Sequence, residues 1–393
     1  MQRRDFLQFS AGLGAAFFAP FVAPRMALAA APSPFRNLLI LIELKGGNDG
    51  LNMVVPYADP AYYALRPRIA IKRDEVLQLD ANTGLHPALQ ALMPFWQSRE
   101  LAVVQGVGYP QPNLSHFRSI EIWDTASRAD QYLQQGWLTR VFARHPTPSS
   151  FSADGVIIGS QELGPLTGGA RAVALSSTDQ FLSNARLAMP AQVHGNAALD
   201  HLMKVETDIV KAADGMKPVQ GKIAFATEFP KGAFGDVIKT AAQVVGNGEQ
   251  TGKPVAVLRL TLGGFDTHQN QAGIQAGLFR QLGDGLVALK SALVELHRWD
   301  STVIATYSEF GRRPKENQSG GTDHGTAAPH FVIGGRVNGG LFGAAPQLAR
   351  LDDNGNLAHA VDFRTVYASL LKQCWSLEAD ELAGSGTLDL VRV

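Results

Sequence analysis

The feature that most constrains this chain is the run 38–44, apolar except for Glu43, which passes directly into Lys45-Gly46-Gly47-Asn48-Asp49-Gly50. A strand with no polar alternation is buried on both faces, as strands are in a parallel sheet covered by helices. Three further stretches repeat the pattern: 101–105, 254–262 (ending in Gly263-Gly264) and 302–307. A short strand is expected at 330–333. Helical patterns fill 87–96, 115–125, 133–144, 274–299 and 363–374, and the span from about 150 to 235 mixes short strands, Gly/Pro turns and one helix near 197–212. Buried strands alternating with helices predict an α/β fold, a mostly parallel central sheet flanked by helices.

In such sheets ligands bind beyond the carboxyl ends of the strands. Asp49 follows the first strand, Asn113-Leu114-Ser115-His116 the second, Asp266-Thr267-His268 the third and Glu309 the fourth, with Asp323-His324 shortly after. Carboxylates and neutral imidazoles are the usual ligands of divalent metals. Asp266 and His268 can close on one ion, or be a turn aspartate and a surface histidine. Asp49 fits a ligand beside glycines that admit an ion closely, or an ordinary turn residue. The glycine-rich loop around Asp323-His324 is poor material for a core and good material for a site.

Ser115 precedes a helix, so it is an N-cap or a nucleophile placed where a helix N-terminus favours an arriving anion. His116 and Arg118 are nearby polar candidates. Arg312 and Arg313 offer planar forks for an oxyanion, or a solvated pair. His86 is a weaker candidate, and His330, opening an apolar strand, reads as structural.

The N-terminus begins Met-Gln-Arg3-Arg4-Asp5-Phe6-Leu7, continues into a mildly apolar stretch broken by Gly12, Gly14 and Pro20, and reaches Ala27-Leu28-Ala29. This is the pattern of a twin-arginine export signal with a small-residue cleavage site, shorter than a membrane span needs. Residues 1–29 are therefore read as a signal that engages the twin-arginine translocase, with no stable membrane anchor. Residues 30–393 are read as a single domain with an insertion around 150–235, periplasmic or secreted. The 35 basic and 35 acidic residues balance, which argues against a broad nucleic-acid surface. Cys374 is the only cysteine, so neither an intramolecular disulfide nor a cysteine zinc site is available. No Gly-x-Ser-x-Gly elbow, Walker loop or His-Glu-x-x-His motif is present.

Seven segments together resemble a bacterial family catalogued as domain of unknown function 1501: 44–52, 84–89, 106–110, 113–119, 264–268, 308–313 and 321–325. That family is similar to the alkaline phosphatase and sulfatase superfamily. The resemblance implies an alkaline phosphatase-like fold and a small-molecule phosphate or sulfate ester as substrate. It further implies one or two divalent ions (zinc, manganese, magnesium or calcium) and Ser115 in the nucleophile's place. It puts Asp49, Asp266 and His268 among the metal ligands. Where the superfamily carries Asp-His after the next strand, this chain has Glu309-Phe310. Either Glu309 replaces that aspartate, or Asp323-His324 takes the role; both alignments keep His324. The alternative is an exported metal-binding or assembly protein on the same scaffold, without turnover.

Overall fold

The computed structural model describes residues 34–188, 196–217, 223–379, 382 and 386–392. The export signal expected at 1–29 lies outside them. A nine-stranded sheet organises the chain. Its strands are β1 (Leu38–Lys45), β2 (Leu101–Gly108), β3 (Ala153–Ile158), β4 (Ala172–Leu175), β5 (Val255–Gly263), β6 (Thr302–Tyr307), β9 (Ala328–Ile333), β10 (Gly340–Phe342) and β11 (Val361–Asp362). Two strands outside it, β7 (Arg312–Glu316) and β8 (Thr322–His324), form an antiparallel ribbon. The order across the main sheet is β10-β2-β9-β6-β1-β5-β3-β4, with β11 also paired to β2. Every pairing is parallel except those of β9, which runs against both β2 and β6. The carboxyl ends of β1, β2, β5 and β6 therefore open on one side of the molecule.

The helices that matter for the site and core are α1 (Gly50–Met53), α2 (His116–Thr125), α3 (Trp137–Arg144), α4 (Ala197–Met216), α5 (Ala233–Thr251), α6 (Gln271–Glu295) and α7 (Phe363–Trp375). Successive residues of β1 serve opposite faces. Leu38, Ile40, Ile42 and Leu44 pack with residues of α5 and α6, whereas Leu39 and Leu41 pack with residues of α2, α3 and α7. The missing polar alternation is thus explained by two covered faces. The polar exception, Glu43, is fully buried and accepts a 2.7 Å hydrogen bond from Arg259.

The span 150–235 supplies β3 and β4 to one edge of the sheet as well as helix α4. Among the described residues no helix is long and apolar enough to cross a membrane.

Candidate metal centre

Two glycine turns bring the site together. The Gly46 N–H donates to both carboxylate oxygens of Glu309, at 2.9 and 3.2 Å. Gly46 has φ +120, and a Cβ there would lie 2.5 Å from the backbone nitrogen of Asp266. Only glycine lets the turn after β1 touch the turn after β5. Arg312 locks the junction. Its Nε donates to the Gly47 carbonyl at 2.7 Å and its Nη1 to the Thr322 carbonyl at 3.0 Å. Its Nη2 donates to the carbonyls of Gly46 and Phe265 and, at 2.5 Å, to Asp266 Oδ1.

Above this clamp, His116, Asp266 and His324 present ligand atoms that all lie within 4.8 Å of one another. His116 Nε2 is 3.4 Å from Asp266 Oδ2, and His324 Nε2 is 3.3 Å from Asp266 Oδ1. His268 joins them, its Nε2 being 3.0 Å from Asp266 Oδ1 and 3.1 Å from His324 Nε2. Donors about 2.0–2.1 Å from a tetrahedral zinc stand roughly 3.3 Å apart. These four contacts have the spacing of such edges.

The far nitrogens fix the tautomers. His324 Nδ1 lies 2.7 Å from the Leu114 carbonyl, which can only accept, so Nδ1 carries hydrogen and neutral His324 turns a lone pair inward. His116 Nδ1 lies 2.8 Å from Glu309 Oε1. Burial opposes ionisation of Glu309, but hydrogen bonds from His116 and the backbone hold its carboxyl below the usual range. In turn, the hydrogen bond to Glu309 raises the pKa of His116, while burial lowers that of His324. For Asp266 burial is again outweighed, here by Arg312 and the neighbouring histidines, and its pKa falls to about 2. An ionised carboxylate therefore faces the Nε2 atoms of His116 and His324, an arrangement that could hold a metal ion. Imidazoles held from behind by a carboxylate or carbonyl are the usual support of metal ligands.

The residues expected from sequence fall into three groups. Asp266, His268 and His324 meet in the cluster. Glu309 stands behind it as the partner of His116, and exposed Asp323 stands 3.6 Å from His268 Nδ1. Asp49 is at the same end of the sheet but faces elsewhere. It caps α1 and forms a fully buried pair with Arg66 at 2.6 and 2.9 Å. Gln271 adds a hydrogen bond at 2.5 Å.

The fork expected of Arg312 is spent on the protein's own carbonyls and Asp266. Arg313 has a buried Nε without a partner. Ser115 is exposed at the N-cap of α2, and its side chain makes no capping bond. It lies between Leu114 and His116, both of which touch the cluster. Sequence reasoning undervalued His116, since a polar residue at a helix start reads as surface. Arg66 gave no signal, because its partner Asp49 is separated from it by two short helices and a strand.

Residues 73–374 match the family described as "Protein of unknown function (DUF1501)". None of the curated proteins matches. Among solved structures, the chain is similar to the lipoteichoic acid synthase LtaP from Listeria monocytogenes, with 9% identity, 78% of this chain and 67% of that chain covered, and a TM-score of 0.38. A protein in the alkaline phosphatase superfamily from Vibrio parahaemolyticus gives 10% identity, 76% and 60% coverage and a TM-score of 0.35. The alkaline phosphatase from the Antarctic bacterium TAB5 gives 10% identity, 76% and 91% coverage and a TM-score of 0.32.

Proposed function

The chain belongs to the DUF1501 family, and from that premise we propose that it is an exported metal-dependent hydrolase of phosphate or sulfate esters. One observation carries the reading: His116 and His324, each held from behind, turn their Nε2 atoms toward ionised Asp266. His116, Asp266 and His324 would hold a divalent ion, with His268 beside them. The imidazole-rich set favours zinc over magnesium or calcium. Such an ion polarises an ester oxygen and lowers the pKa of an attacking hydroxyl.

The chain's own residues supply the rest. Ser115 offers a hydroxyl free of capping duty. The first N–H groups of α2 face whatever anion approaches that end. Glu309 fixes the ring of His116, and Arg312 fixes Asp266.

The test is a panel of phosphate and sulfate esters supplied to the zinc-loaded protein and to Ser115→Ala. A hydrolase with Ser115 as nucleophile loses most of its turnover in the variant and keeps its metal. Equal turnover in both proteins removes Ser115 from the role. A second reading, a metal-binding protein without turnover, is favoured by the engagement of every Arg312 nitrogen within the protein. Metal binding with no cleavage of any ester would select it.

A further inference from the structure

A cavity of about 130 Å³ lies at the carboxyl end of β2. Its floor is Gly50 and Leu51 of α1, and one wall is Ala328-Pro329 at the start of β9. The lip is formed by Ala344, Ala345 and Pro346 on one side and 358–360 on the other. Alanines dominate, and larger side chains at these positions would close the space. Interiors are close-packed, so an apolar hollow of this size is unusual unless something enters it. Arg312 also lines the cavity, and its guanidinium holds Asp266. The hollow and the metal centre are therefore neighbours across one side chain, and both lie where the strands end.

We propose that this cavity receives the apolar part of the ester substrate, an alkyl or aryl group of about six carbons, the size that a comparable apolar cavity accepts as benzene. The substrate class would then be esters of an apolar alcohol rather than small polar monoesters. This rests on the hydrolase reading for its catalytic half, whereas occupancy of the cavity does not.

The experiment uses n-hexyl phosphate and methyl phosphate with the zinc-loaded protein. Saturation-transfer NMR reports which ligand protons touch protein, and steady-state kinetics report KM. Ala345→Trp fills the cavity from its exposed lip, and Ala358→Leu does so from the opposite side. The expected result is strong transfer to the hexyl methylenes in the parent, lost in both variants. KM for hexyl phosphate should rise at least about tenfold, as expected for burial lost by about two methylenes or more, with methyl phosphate kinetics unchanged. No transfer to the hexyl chain in the parent, or equal transfer in both variants, would overturn the proposal. If neither ester is cleaved but the variants still abolish transfer, the cavity assignment stands and the hydrolase reading falls.

Discussion

At the scale of single residues, the centre depends on what stands behind each ligand. Glu309 touches His116 and the Gly46 N–H, so Glu309→Gln keeps the shape and removes the charge that orients and raises the imidazole. Outer partners of this kind are worth about 10–100-fold in metal affinity. A drop of that size, measured by chelator competition, is expected with little change in thermal unfolding. Asp49 should behave in the opposite way. Its carboxylate is matched to Arg66 in full burial, and removing one partner of such a pair costs roughly 3–5 kcal/mol. Asp49→Ala should therefore lower the urea midpoint sharply, while any protein that stays folded binds zinc as before. Loss of zinc from folded Asp49→Ala would return Asp49 to the ligand set. Asp266, His268 and His324 were readable in sequence because each follows a glycine turn at or near a strand end. The direction of Asp49 was not, because a turn aspartate can serve a helix cap, a guanidinium or a metal, and only the fold chooses.

At the scale of elements, the apolar runs announced β1, β2, β5 and β6 because burial on both faces leaves no polar alternation. Strands β3 and β4 were harder to assign as members of the main sheet. They are six and four residues long, and β3 contains Asp154 and Gly155, so neither carries enough pattern. Nor does an apolar run encode direction, which is why the reversal of β9 appears only in the structure. That strand carries His330, 3% exposed, with Nδ1 unpartnered. Burial lowers its pKa from 6.5 to about 3. Below pH 6.5 the unfolded chain takes up a proton that the folded chain refuses, so stability falls as pH drops from 6.5 toward 3. At pH 4.5 that is about 3 kcal/mol from this one group. Urea titrations at pH 7 and 4.5 should show His330→Leu losing less stability than the parent on acidification. An identical loss in both proteins would contradict the buried neutral imidazole.

At the scale of the whole molecule, one mostly parallel sheet covered on both faces collects a site from residues as distant as 116, 266, 309 and 324. The glycine turns after β1 and β5 make that assembly possible by touching each other. The export proposal belongs to this scale too: Arg3→Lys with Arg4→Lys should retain the precursor in the cytoplasm, and normal secretion would contradict it. Whether His116, Asp266 and His324 hold a divalent ion is decided by elemental analysis. The protein is equilibrated with zinc, freed of unbound ion by gel filtration and measured alongside the double variant His116→Ala, His324→Ala. The expected result is at least one zinc per parent chain and none retained by the folded variant; a parent without zinc, or a variant holding the same amount, would rule out this centre.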